Sequence, residues 1–112
     1  MPAAISIADA QQTPRQLLQA QLSLIEFWTE WCPYSLLVKR KIEQLAGVYG
    51  DRIAVGRIDA DAHPEIAEAL EVEYIPAILL LDGGEAVQRW YGDNPVQNIR
   101  GVVDAYLEDR RS

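Results

Sequence analysis

Three short apolar runs set the limits on what this chain can fold into. Leu22–Trp28 reads L-S-L-I-E-F-W, Ile53–Ile58 reads I-A-V-G-R-I, and Ala77–Leu81 reads A-I-L-L-L. They are near-continuous rather than alternating, the mark of strands covered on both faces. Segments of helical period lie between and beyond them. From Pro33 to about Tyr49, the apolar residues Leu37, Val38, Ile42, Leu45, Ala46 and Tyr49 recur at three- and four-residue spacing. Lys39, Arg40, Lys41 and Glu43 fill the gaps, the tract Lys39-Arg40-Lys41 reading as the solvated face of the helix, and Gly50-Asp51 ends the pattern.

Pro64 opens a shorter helix through about Leu70, with Ile66, Ala67 and Leu70 on one face. Asn94-Pro95 starts the last one, whose stripe is Ile99, Val102, Val103, Tyr106 and Leu107. Near the start, Ala3–Ile7 reads as a short edge strand, and Thr13-Pro14 as the cap and first residue of a helix ending near Ala20. Gly83-Gly84 is a tight turn, and Ala86–Tyr91 alternates as the hairpin partner of the third run. The order β-α-β-α-β-α-β-β-α predicts an α/β fold: a central mixed sheet of four or five strands with helices on both faces. Alternation implies a parallel portion, and the hairpin an antiparallel edge.

Composition narrows the function classes. At 112 residues and 49% apolar, residues 1–112 are expected to form a single domain. A net charge of −7 repels polyanions, so neither nucleic acid nor an anionic membrane is an expected partner. Ala77–Leu81, the longest apolar stretch, falls far short of the ~20 residues that cross a bilayer. Met1–Gln21 shows no basic segment followed by an apolar run, so a cytoplasmic location is expected. His63, the single histidine, precedes Pro64 and reads as a loop or capping residue; no metal or cofactor is expected. The chain has one cysteine, which rules out an internal disulfide and a self-contained dithiol couple.

That cysteine, Cys32, falls where the first buried run ends and a helix begins. The first backbone N–H groups of a helix lack internal partners and its dipole is positive there, so negative charge is favoured. A thiol so placed is a candidate nucleophile, whereas a buried inert cysteine is the bland alternative. Glu26 is the other unexpected residue. It sits among Leu24, Ile25, Phe27 and Trp28, where an ionised carboxylate is costly and its pKa should rise.

Phe27-Trp28-Thr29-Glu30-Trp31-Cys32-Pro33-Tyr34-Ser35 resembles the active-site segment of thioredoxins, F-W-A-x-W-C-x-x-C. Tyr74-Ile75-Pro76-Ala77 resembles that family's V-x-x-I-P-T segment, and Tyr91-Gly92 its glycine after the last strand. The likeness covers nearly the whole chain in order and spacing. It implies a thioredoxin fold and thiol–disulfide exchange on protein disulfides, with Cys32 as nucleophile. Trp31, Pro33, Tyr34, Ile75, Pro76 and Gly92 are implied to bind the substrate, with Pro76 cis. Glu26 matches a buried acidic residue that relays protons in the family, Arg57 is its implied charge partner, and Trp28 supports the site. Trp90-Tyr91 reads either as an aromatic patch near the groove or as plain edge-strand packing. The family often kinks its long helix with a proline near position 40; Arg40 stands there, so a straighter helix is expected.

One departure decides the mechanism. Ser35 stands at the resolving position, and a hydroxyl cannot displace a sulfur. Three accounts stay open: an introduced replacement of a second cysteine, a natural monothiol enzyme served by glutathione, or a non-redox module that binds client peptides. A thioredoxin reductase or glutathione are the implied electron donors.

Overall fold

The computed structural model describes residues 17–111. Its elements are β1 (Leu22–Trp28), α1 (Ser35–Tyr49), β2 (Ala54–Asp59), α2 (Pro64–Ala69), β3 (Ala77–Asp82), β4 (Glu85–Tyr91) and α3 (Val96–Arg111). Residues 17–19 are also helical. The expected strand Ala3–Ile7 and the helix start at Thr13-Pro14 lie outside the described residues.

The strands form a mixed four-stranded sheet in the order β2-β1-β3-β4. β1 pairs in parallel with β2, through Leu24 opposite Val55 and Glu26 opposite Arg57. β3 runs antiparallel to both β1 and β4. Among the described residues the parallel portion is therefore a single pair. The α1 crossover returns the chain to the end where β1 began, whereas the α2 connection delivers β3 in the opposite sense beside β1.

Both faces of β1 are covered, which explains its unbroken apolar run. Leu22 and Leu24 join Val38, Ile42, Leu45 and Tyr49 of α1 and Ile99 and Val103 of α3 in one core layer. Ile25 and Phe27 face the other way and pack with Ile58, Leu79 and Leu81, with Ile66 and Ala67 of α2 against them. Because side chains alternate across a strand, Glu26 points into the layer beneath α1. The hairpin turn uses Gly83 and Gly84 at φ 62° and 84°, and a register shift falls at Leu80/Leu81.

Three sequence expectations change. α1 begins at Ser35 rather than Pro33; Tyr34 is its N-cap and makes no side-chain cap bond. Trp90 and Tyr91 pack against opposite faces of the sheet, so they do not form one patch. Lys41 is not simply a solvated face residue. Its ammonium pairs with Asp93 and donates to the carbonyl of Asn94 at 2.5 Å, tying α1 to the segment before α3.

Candidate active site

The strand-to-helix connection after β1 is a tight turn. The Cys32 N–H donates to the Thr29 carbonyl at 3.4 Å, and the Ser35 N–H to the Cys32 carbonyl at 3.2 Å. Cys32 therefore sits at the end of the sheet just upstream of α1, only 8% exposed. Its thiol points across to the loop before β3 and donates to the Ile75 carbonyl, with Sγ 3.7 Å from the oxygen. The Ile75–Pro76 peptide bond is cis, and Pro76 is buried. The Pro76 carbonyl accepts the Gly92 N–H at 2.9 Å, which locks the end of β4 to this loop. Gly92 has φ 75°, a left-handed conformation that side chains disfavour. Cys32, Ile75, Pro76 and Gly92, far apart in sequence, are thus one contiguous set.

Ser35 is buried beside Cys32, and among the described residues its hydroxyl has no hydrogen-bond partner. The Thr29 hydroxyl, also buried, is likewise unpartnered. Both line an open cleft of about 360 Å³ that reaches Cys32 and continues to Trp28, Lys39 and Arg57.

Behind this cleft lies the Glu26–Arg57 pair. Glu26 is fully buried, and Arg57 Nε donates to its Oε1 at 2.5 Å. The second carboxyl oxygen, Oε2, has no partner among the described residues. Burial pushes the Glu26 pKa from 4.5 up to about 7, with Arg57 and Lys39 opposing the rise only in part. The guanidinium of Arg57 lies 4.6 Å over the Trp28 ring, so Trp28 covers the cation of the pair. Parallel pairing explains the meeting, because Glu26 and Arg57 are register partners on neighbouring strands.

The remaining expected site residues lie at the surface. Trp31 is 67% exposed and is held by its indole N–H, which donates to Asp61 Oδ2 at 2.9 Å. That contact links the β1–α1 turn to the loop after β2. Pro33 and Tyr34 are exposed on the turn itself. Sequence reasoning did not single out Asp61 or Lys39 as site residues. It also missed Tyr74, which is 66% exposed and packs edge-on against Tyr91 with ring centroids 5.4 Å apart. Only its place next to Ile75-Pro76 hinted at a role. Among the described residues no cluster of potential ligands is suited to a metal ion. His63 sits at the N-cap of α2 without a side-chain cap bond.

Comparison with known proteins is consistent with this geometry. The sequence profile of the thioredoxin family matches residues 5–105. The chain belongs to the thioredoxin family. It is 31% identical over 90 residues to a thioredoxin of Staphylococcus haemolyticus, covering 80% of this chain and 86% of that protein. With a thioredoxin of Staphylococcus aureus it shares 27% identity over 105 residues, 94% and 99% of the two chains. Among solved structures, the thioredoxin of Malassezia sympodialis superposes with a TM-score of 0.72 at 18% identity, covering 90% and 87%. A mutant thioredoxin of Halobacterium salinarum also gives 0.72, at 24% identity and 82% and 80% coverage. These structural likenesses establish the thioredoxin fold, and the family match a thioredoxin-like redox function in general. Among the described residues no helix is long and apolar enough to cross a membrane.

Proposed function

We propose that the chain is a thiol–disulfide oxidoreductase that attacks protein disulfides through Cys32 and halts at the mixed disulfide. The observation that carries this reading is the pairing of one near-buried thiol with a serine. Cys32 faces Ile75 at the cis-proline loop, while Ser35 occupies the position from which a second sulfur would attack. Ile75, Pro76 and Gly92 form the groove floor against which an extended substrate lies. Trp31, Pro33 and Tyr34 flank it on the β1–α1 turn, and Trp31 is oriented by Asp61.

The chemistry follows from the two halves of the site. The Cys32 thiolate attacks one sulfur of a substrate disulfide; the new bond joins Cys32 to the substrate, and the other sulfur leaves as a thiolate that takes up a proton. Glu26, with a pKa near neutrality, is able to exchange that proton at working pH. Its free Oε2 is the atom available for the exchange. Ser35 can hydrogen-bond to sulfur but cannot break the mixed disulfide, so the second half-reaction requires an external thiol. A cytoplasmic, reducing setting, and a single domain over residues 1–112, complete the reading.

A second reading has one observation in its favour. Trp31, Tyr34 and Tyr74 are large, exposed and apolar. Such a surface holds a client segment without any covalent step. Incubation with an oxidised peptide separates the two. The enzymatic reading predicts a covalent adduct at Cys32 by intact mass, reversed by dithiothreitol. Binding without an adduct overturns it in favour of the client-binding module.

A further inference from the structure

The surroundings of Cys32 fall into two sets. One holds the Ile75 carbonyl and the buried Pro76. Cys32 also lines the cleft of about 360 Å³, whose lining includes neither of them and takes in Thr29, Ser35 and Lys39. That size falls in the ordinary range of small-molecule sites, roughly 300–1,000 Å³.

Two hydroxyl-bearing side chains, Thr29 and Ser35, line the cleft together with Cys32. The Thr29 and Ser35 hydroxyls are more than nine-tenths buried and, among the described residues, unpartnered, although buried polar groups nearly always find a partner. Lys39 lines the same cleft and forms no ion pair among the described residues, whereas Arg57 is already engaged by Glu26. Glu30 is exposed at the rim, which sets a limit: a polyanion is disfavoured there, and a single carboxylate is not. The chain holds no second cysteine whose thiol could occupy this space.

We propose that this cleft docks the resolving thiol, a low-molecular-weight thiol bearing a carboxylate, with the carboxylate on Lys39 and the sulfur beside Ser35. It rests on Cys32 being the attacking thiol, as above, and adds which molecule completes the reaction and from which side. The small thiolate attacks Cys32 Sγ from the Ser35 side. The bond between Sγ and the substrate sulfur breaks, and the substrate leaves along the Ile75 groove as a thiolate that takes a proton from solvent. A second molecule of the same thiol attacks the small-molecule sulfur of the Cys32 adduct. Cys32 is released, and the two small thiols depart as their disulfide. Two thiols are oxidised and one protein disulfide is reduced, so electrons balance. The Thr29 and Ser35 hydroxyls supply hydrogen bonds that the bound thiol would otherwise lose on leaving water.

The test loads Cys32 with a thiopyridyl group from dithiodipyridine and follows thiopyridone release by absorbance. Mercaptopropionate, mercaptoethanol, cysteamine and glutathione are compared, each rate divided by its rate on a free thiopyridyl-cysteine disulfide. The expected result is a preference for mercaptopropionate and glutathione over mercaptoethanol of roughly two- to fivefold, with cysteamine lowest. This preference falls toward one in Lys39→Gln and at high salt, and survives in Lys39→Arg. Because the readout is a ratio, a general effect of the substitution on the fold or on Glu26 cancels. Equal normalised rates in the parent, or a ratio unchanged in Lys39→Gln, overturn the proposal while leaving Cys32 as the nucleophile. Failure of Cys32 to take up the thiopyridyl group overturns both readings.

Discussion

Glu26 and Arg57 are register partners on β1 and β2, joined by a 2.5 Å hydrogen bond and almost wholly shielded from water. The pair lies behind the cleft that ends at the thiol. Burial makes the carboxyl a liability to the fold, and the mechanism proposed above also uses it to exchange a proton; the two roles are separable by pH.

Raising a carboxyl pKa on folding means that the folded chain binds the proton more tightly than the unfolded one. The stability linked to this proton is fully present below pH 4.5 and is lost as pH rises through about 7. In urea denaturation, Glu26→Gln should therefore gain on the parent protein as pH increases across that window. The full change is of the order of 3 kcal/mol. A stability difference that stays flat from pH 4.5 to 8 contradicts the raised value, as does a Glu26 carboxyl titrating in the ordinary range by NMR.

Removing only the cation is expected to be worse than removing both charges. Arg57→Met leaves Glu26 buried without its hydrogen-bond donor and removes the guanidinium from the Trp28 ring. A loss of about 3–5 kcal/mol at pH 8 is expected, shrinking at pH 5 where the carboxyl is neutral. The double variant Glu26→Leu/Arg57→Met should recover much of it. Calorimetry at the two pH values checks both statements.

Ser35→Cys supplies the missing sulfur three residues after Cys32. The variant should form an internal disulfide on mild oxidation and reduce insulin catalytically with dithiothreitol as donor. Ser35→Ala should react once, as the parent does, because the Ser35 hydroxyl has no hydrogen-bond partner to lose. A Ser35→Cys variant that folds, has both thiols titratable and still fails to turn over shows that more than the second thiol is absent.

Trp31 is oriented rather than packed. Asp61→Ala removes the acceptor of its indole N–H from an exposed contact, so stability should change by less than about 1 kcal/mol. The rate of adduct formation with a peptide disulfide should fall, and Trp31→Phe, which has no N–H to orient, should be insensitive to the same change. Parallel measurement of melting temperature and adduct rate separates the two effects.

Much of this arrangement was legible in the residues, and the omissions have physical causes. The unbroken apolar runs located β1, β2 and β3 to within a residue or so, because strands buried on both faces leave little freedom of composition. Glu26 stood out for the same reason: a carboxylate in such a run needs a partner, and Arg57 lies opposite it. The sense of β3 was less accessible, since a connection with one short helix does not reveal which way the next strand runs. The start of α1 was misplaced by two residues because proline suits both a first helical turn and the turn before it. Trp31–Asp61 joins two loops and Tyr74–Tyr91 joins a loop to the end of β4; only the finished sheet brings them together, and no local spacing encodes them. The cleft at Lys39 is of that kind too. It exists only once α1 lies across β1 and β2.

The central claim is that this chain attacks a disulfide and cannot finish the exchange alone. The most direct measurement uses a peptide disulfide with one fluorescent half, added in excess to reduced protein without any other thiol. Release of the fluorescent half should show a burst approaching one equivalent per chain and then stop, resuming when a small thiol is added. No burst, or a burst that leaves no covalent adduct on Cys32 by intact mass, would contradict it.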